Sequence, residues 1–484
     1  MTALKNFSEQ QIQDKIKFEN PWWDTNSIDE YYSHMRRRLY FNLFAPLILE
    51  KQIKRAVVLM GPRRVGKTVM LFHMIQELID KNVPPKKICY FSVDNPIYNG
   101  LSLEQLFLNY IKITSLNSSD NLYVFYDEIQ YLRNWEIHLK KLVDSYHNIK
   151  FVVSGSAAAA LKLKSNESGA GRFTDFILPP LTFHEYIDLK DLSGLIKIGT
   201  KEWNGISKNY YKTEDIKELN NHFINYINYG GYPEVSLSKE IQANPGRYIR
   251  NDIIDKVLLR DLPSLYGIQD VQELNSLFTT IAYNSGNEFT VEGLSKNSGV
   301  TKNTIKKYIE YLEAAFLIRV INKIDNAAKR FSRITSFKIY LTNPSLRTAL
   351  FAPIRSEDDF IGNMVETAVF SQWSHNTGFK PFYARWNKGE VDIVRLSETK
   401  QKPLWAVEIK WSNRFTKSVR ELEHLTRFCK QNGLDRTLVT TLDYEEIKED
   451  DDIIFDFTPA SLYCYTVGRN AVEERLNLSM GITH

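Results

Sequence analysis

At 484 residues, 43% hydrophobic and 25% charged, the chain is longer than one hydrophobic core usually organises, and three or four structural units are expected. Its 62 basic residues are nearly balanced by 58 acidic ones, so the formal charge of +4 is compatible with a nucleic-acid partner without arguing for one. Cys89, Cys429 and Cys464 are scattered and odd in number, which argues against a disulfide framework or a cysteine zinc site, and no apolar run reaches the roughly 18 residues of a membrane span.

In chain order, residues 1–50 read as a helical leader. Its start lacks the basic end and apolar core of a signal peptide, so neither export nor membrane insertion is expected and a reducing cytoplasm fits. The stretch "SIDEYYSHMRRRLYFNLFAPLIL" has helical spacing of apolar groups and a basic cluster at Arg36 to Arg38. "RAVVLM" then reads as a buried strand running into "GPRRVGKT", which fits G-x-x-x-x-G-K-[ST] between a strand and a helix. In that pattern the glycines let the loop of Gly61, Pro62, Arg63, Arg64, Val65 and Gly66 curl its backbone N–H groups, which all but the proline carry, around phosphates. Lys67 reaches the terminal phosphates, and Thr68 offers a hydroxyl to Mg2+, so ATP and Mg2+ are the expected cofactors. In "NLYVFYDEIQ", Asp127 ends a strand where it can hold Mg2+ through water, and Glu128 is the candidate base for the attacking water. "IKFVVSGSA" ends another strand in hydroxyls, with Ser154 or Ser156 able to sense the γ-phosphate. Apolar runs alternating with helical stretches over residues 51–187 predict a parallel sheet covered by helices.

Residues 188–262 are more polar and mostly helical in pattern, as a lid would be, with "YGGYPEVS" as a turn-rich break. Over 263–345 the order helix, turn at Ser298 and Gly299, helix from Thr301, strand suggests a winged helix-turn-helix. Lys302, Asn303, Lys306 and Lys307 open its second helix, and Lys329, Arg330, Arg333 and Lys338 follow in the expected wing and the strand after it. These residues either meet DNA or form the solvated face of a packing module.

Residues 346–484 begin with the helix "FIGNMVETAVFSQW" and continue with strands at "KPFYARW", "GEVDIV", "LWAVEIKW" and "RTLVTT". A strand over Leu404 to Trp411 puts Glu408 and Lys410 on one face, because side chains alternate. Asp392 sits in a second apolar strand, and Glu366 lies one helical turn from Gly362. Three carboxylates gathered in a poorly solvated pocket repel and raise one another's pKa unless a cation joins them. Oxygen ligands suit Mg2+ or Mn2+, and Lys410 would orient water or stabilise developing charge, which is the chemistry of phosphodiester hydrolysis.

These motifs in this order, followed by "GAGRFTDFILPPLTFHEYI" and "YGGYPEVS", resemble the AAA-type ATPase family in which a P-loop module precedes a poorly characterised C-terminal domain, and the resemblance covers nearly the whole chain. It implies an arginine after the sensor strand that contacts the γ-phosphate, often of a neighbouring subunit. Arg172 matches it, either in that catalytic role, with a homo-oligomer implied, or as a solvated residue. The set Glu366, Asp392, Glu408-x-Lys410 resembles the restriction-endonuclease-like PD-(D/E)xK superfamily, in its resolvase-like forms, with Val391 where the name has proline. The expected architecture is α/β: a P-loop ATPase, a helical lid, a winged helix-turn-helix and a nuclease-like domain. The expected function is an ATPase coupled to a metal-dependent nuclease acting on DNA. The alternatives are a nucleotide-switched DNA- or protein-binding ATPase with an inactive nuclease fold, and a sensor that regulates another factor.

Overall fold

The computed structural model describes residues 7–156, 171–203, 206–329, 336–376, 378–387 and 389–479. They fall into two compact units, Met1–Pro179 and Pro180–His484.

The first unit is built on strands β1 (Ala56–Met60), β2 (Ile88–Ser92), β3 (Leu122–Asp127), β4 (Ile149–Gly155) and β5 (Phe173–Ile177), in the order β2-β3-β4-β1-β5. All are parallel. Strands β1 to β4 are buried almost without a break, as strands covered on both faces must be, and this is why they read as continuous apolar runs. The helix Lys67–Asp80 buries Met70, Leu71, Met74, Ile75 and Leu78, a stripe at three- and four-residue spacing.

The leader belongs to this unit and closes one edge of its sheet. The helix Glu9–Glu19, started by a Ser8–Gln11 capping box, delivers Asn20 to the outer strand β2. The Asn20 amide exchanges two hydrogen bonds with the Tyr90 backbone, at 2.7 and 2.9 Å. The indoles of Trp22 and Trp23 both donate to the Ile88 carbonyl, at 3.1 and 2.8 Å. Side chains thus take the backbone groups that an edge strand would leave open to another chain.

The second unit starts at Pro180, so the segment "PLTFHEY" folds with it. Phe183 N donates to Gln372 Oε1 at 2.9 Å, and Tyr226 OH donates to the Leu181 carbonyl at 2.8 Å. Strands β6 (Lys197–Trp203) and β7 (Ile206–Lys212) form an antiparallel pair within the stretch expected to be mostly helical. The pair Asn204-Gly205 between two alternating runs is the hairpin signal that reading passed over.

The remaining strands are β8 (Glu288–Thr290), β9 (Ile318–Ile324), β10 (Ser336–Leu341), β11 (Pro381–Trp386), β12 (Gly389–Leu396), β13 (Pro403–Glu408), β14 (Arg436–Thr441), β15 (Glu446–Asp450) and β16 (Ile453–Pro459). They make a single nine-stranded sheet in the order β15-β16-β14-β13-β12-β11-β9-β10-β8. The strands expected in a wing and those expected in a separate C-terminal domain are joined, because β9 pairs in parallel with β11. The helix Ile361–Trp373 is buried along much of its length and shares a core with Ile393 and Val407 of β12 and β13.

Candidate functional site

The loop Gly61–Gly66 leaves β1 and enters the helix Lys67–Asp80. Gly61 has no room for a side chain, since a Cβ there would lie 2.2 Å from the Leu178 carbonyl oxygen. Gly66 has φ +93°, a left-handed conformation that glycine takes without strain. From the leader, Arg38 donates to the carbonyls of Val65 at 3.1 Å and Pro179 at 2.8 Å, pinning the loop's far side. Lys67 Nζ is buried and donates to the carbonyls of Gly61 and Pro62, at 3.1 and 2.8 Å, so its ammonium lies within the loop's own curl.

Strands β3 and β4 bring Asp127 and Ser154 side by side, one step beyond the pair Tyr126–Val153. Asp127 accepts from the Thr68 hydroxyl at 2.7 Å, the Tyr90 hydroxyl at 2.9 Å, the Ser154 hydroxyl and Glu128 N at 3.1 Å. Thr68 and Asp127 therefore present adjoining oxygen donors, a set that fits Mg2+. Ser154, tied to Asp127, cannot turn its hydroxyl to a phosphate without giving up that bond. The Ser156 hydroxyl is buried and meets no partner among the described residues. Glu128 takes a left-handed backbone, φ +57°, that costs a non-glycine residue about 1–2 kcal/mol, and its carboxylate accepts from Gln130. Burial pushes the Glu128 carboxyl up, with Lys67 opposing and Asp127 adding to the rise. A raised carboxyl suits a base working near neutral pH.

Arg172 stands away from the phosphate loop of its own chain. Strand β5 lies beside β1 in parallel and Ala56 N donates to the Arg172 carbonyl at 3.0 Å, so Arg172 stands where β1 begins. The phosphate loop follows the other end of that five-residue strand, roughly 16 Å away at about 3.3 Å per residue. The guanidinium instead forms an exposed pair with Asp144, at 2.6 Å. It does not reach this chain's own phosphates.

In the second unit, β13 ends at Glu408, short of the strand expected to run to Trp411. The chain leaves the ladder because Asp392 Oδ2 takes Ile409 N at 2.9 Å and Thr440 Oγ1 takes Lys410 N at 2.7 Å. Asp392, one residue before Ile393, and Glu408, one residue after Val407, stand next to the antiparallel pair Ile393–Val407. Lys410 Nζ lies 2.6 Å from Glu408 Oε1 and 3.9 Å from Asp392 Oδ2, and His424 Nε2 lies 3.2 Å from Glu408 Oε1. Glu408 Oε2 is buried and accepts no hydrogen bond from any described residue. A buried, unpartnered carboxylate oxygen beside Asp392 fits one divalent cation.

Glu366 is drawn elsewhere. Its Oε1 takes Lys338 Nζ at 2.7 Å and the Tyr340 hydroxyl. Lys338 also lies 2.5 Å from Glu390 Oε1 and 3.5 Å from Asp392 Oδ1. Among the described residues no group of three or more His, Cys, Asp or Glu side chains gathers to hold a metal ion, so the expected three-carboxylate set is not assembled. Its charge conflict is met by a second lysine. Lys338 was expected in the wing or the strand after it, where it would help meet DNA; it lies in that strand, β10, but is buried there, so contact with DNA by this residue is corrected. Its signal was a cation inside the apolar run "SFKIYL", the same kind of signal that drew attention to Glu408.

Burial alone would lower the Lys338 ammonium, but Glu366, Tyr340, Asp392 and Glu390 outweigh it and hold it well above the ordinary lysine range. Burial would raise Asp392, and Lys410 and Lys338 with the Ile409 N–H hold it below the ordinary range instead. Burial, opposed by Lys338, pushes Glu366 up to about 7.

On the helix Lys302–Ala314, Ile305, Tyr308, Ile309 and Leu312 face the core. Lys302, Asn303, Lys306 and Lys307 are exposed, with Lys302 2.5 Å from Glu292. Lys329 is also exposed, and Arg330 and Arg333 lie outside the described residues.

Comparison with known proteins gives two family matches. A model described as an AAA domain matches residues 53–187, and one described as a domain of unknown function matches 220–358. An uncharacterized protein of Methanocaldococcus jannaschii is 25% identical over 451 residues, 91% of this chain and 93% of that protein. An uncharacterized protein of Haemophilus influenzae is 24% identical over 358 residues, 73% of this chain and 82% of its own length. Among solved structures, the Aeropyrum pernix Orc1 protein in complex with DNA aligns over 67% of this chain and 97% of that chain, at 13% identity and a TM-score of 0.30. No helix among the described residues is long and apolar enough to cross a membrane. The matched family model and the phosphate loop within it make residues 53–187 an AAA-type ATPase domain.

Proposed function

We propose that the chain hydrolyses ATP in its first unit and that its second unit is a nuclease-like domain cutting DNA with Mg2+ or Mn2+. The observation that carries the nuclease part is Asp392 beside Glu408, with Lys410 2.6 Å from Glu408 and a buried Glu408 Oε2 that no described residue satisfies. Asp392 and Glu408 would hold the ion, which when bound would polarise a phosphodiester and help activate the attacking water. Lys410 orients that water or meets the charge that develops on the phosphorus oxygens. In the first unit, Gly61 to Lys67 cradle the phosphates, Thr68 and Asp127 take Mg2+, Ser154 buttresses Asp127, and Glu128 accepts the proton of the attacking water.

Strands β8 to β10 with the helices Val291–Ser298 and Lys302–Ala314 read as a winged helix-turn-helix. Strands β11 to β14 with the helix Ile361–Trp373 read as a restriction-endonuclease-like fold. The functional segments are then 1–50, 51–187, 188–262, 263–345 and 346–484. Exposed Asn303, Lys306 and Lys307 support contact with DNA. Three buried free cysteines suit a reducing cytoplasm. Arg172, exposed and remote from the phosphate loop of its own chain, acts on a neighbouring subunit in a homo-oligomer.

A second reading, favoured by the Lys338 contacts with Glu366, Glu390 and Asp392, is a nucleotide-switched DNA- or protein-binding ATPase that does not cut. Incubation of purified protein with plasmid and branched DNA in Mg2+ or Mn2+ decides between them. Cleavage lost in Lys410→Ala, and not restored by ATP, supports the nuclease. If wild type leaves every DNA and RNA substrate whole while still hydrolysing ATP, the nuclease reading falls and the binding reading replaces it.

A further inference from the structure

We infer that Lys338 stands in the place of a second cation, so that the acidic cluster of the second unit accepts a single divalent ion, at Asp392 and Glu408, rather than a pair. The inference rests on the nuclease reading for the first ion, while the place of Lys338 rests on geometry alone. Paired-ion sites hold their metals about 3.5–4 Å apart as a clamp on the attacking and leaving oxygens. For such a pair here, Asp392 is the carboxylate positioned between the two places. Its Oδ2 faces Lys410 and Ile409 N, toward Glu408, and its Oδ1 faces Lys338. On that second side the ammonium meets Glu366 Oε1 at 2.7 Å and Glu390 Oε1 at 2.5 Å, so three carboxylates converge on one buried nitrogen. An ammonium has donors and no acceptor; it donates to Glu366 and to Asp392 and lies in ion-pair contact with Glu390.

The surroundings hold Lys338 there. Its side chain is 4% exposed, and its Nζ lies 5.5 Å from the centre of the Tyr383 ring. The Tyr340 hydroxyl binds the same Glu366 oxygen, fixing that carboxylate from a residue two positions along β10. Glu390 has a further cation in Arg385, at 3.4 Å, which leaves Glu366, Asp392 and Glu408 against Lys338 and Lys410. Lys338 is thus a positioning residue: it neutralises and orients the carboxylates without touching substrate.

The test is a Mn2+ titration of the full chain without nucleotide, reading free Mn2+ by electron paramagnetic resonance. Wild type is expected to bind one ion, lost in Asp392→Asn. Lys338→Met is expected to bind one ion more than wild type, and its melting temperature should rise on adding Mn2+ by more than that of wild type. Adding Glu366→Gln to Lys338→Met should return the count to that of wild type. If Lys338→Met does not fold, Lys338→Gln, which can still donate to Glu366, carries the same titration. An equal count in wild type and either Lys338 variant overturns the inference, and two ions in wild type does so as well. No ion in wild type but one in the variant upholds the place of Lys338 and removes the nuclease reading instead.

Discussion

Asp127 and Asp392 are both buried carboxylates on sheet strands, and their surroundings treat the charge in opposite ways. Asp127 is served by hydroxyls of Thr68, Tyr90 and Ser154 and by a backbone N–H, all of them neutral donors. Asp392 lies between two ammoniums, Lys338 and Lys410. Neutral donors stabilise a carboxylate yet leave its full charge for a metal, whereas lysines cancel it in advance. The first arrangement waits for a cation delivered with the nucleotide. The second holds most of its countercharge permanently, and so depends on intact ion pairs for its fold.

The largest effect is expected where the first unit commits its charge to chemistry. Glu128→Gln should lower ATP turnover about 10²- to 10⁴-fold while nucleotide still binds, measured by phosphate release beside a nucleotide titration. Unchanged turnover would put the base elsewhere and undo the contrast at its source. Next come the stability costs. Lys338→Met removes one partner of a buried ion network and should destabilise the second unit by about 3–5 kcal/mol in chelator, read from denaturant unfolding. Tyr90→Phe removes one of several neutral donors and should cost the first unit only about 0.5–1.5 kcal/mol. Equal costs for the two would mean that hydroxyls and ammoniums do the same work here.

The smallest effect lies in pH. His73 is buried in the first unit with Nε2 2.9 Å from the Tyr32 carbonyl, and burial holds its pKa below the ordinary 6.5. The folded state therefore keeps the imidazole neutral where the unfolded chain binds a proton. That stability is fully present above 6.5 and is lost as pH falls through the lowered folded value. Melting of the first unit should decline across that window in wild type and decline less in His73→Gln. Parallel slopes in the two proteins would assign the acid sensitivity to another group.

Much of the first unit could be read from sequence because its signals are local. The phosphate loop is eight consecutive residues, and Asp127 closes an apolar run whose parallel neighbours are equally apolar. For Arg172, its place after a sensor strand says nothing about which end of the sheet it occupies; only the pairing of β5 with β1 does. In the second unit Asp392, Glu408 and Lys410 stood out as charges within apolar strands. Lys338 stood out no less, but its partners Glu366 and Asp392 lie 28 and 54 positions away. What brings them together is β9 bridging β10 and β11, a parallel pairing between segments without a connecting signal. The leader's role was hidden for the same reason, since Asn20 and Tyr90 are 70 positions apart.

That separation has a consequence in time. Trp22 precedes Ile88, whose carbonyl it caps, by 66 residues. At a synthesis rate of about 5–20 residues per second, roughly 3 to 13 seconds pass between their emergence from the ribosome. Throughout that interval two tryptophans and the apolar face of a helix have no strand edge to cover. The leader thus waits for its partner and stays open to whatever binds nascent apolar chains until β2 arrives.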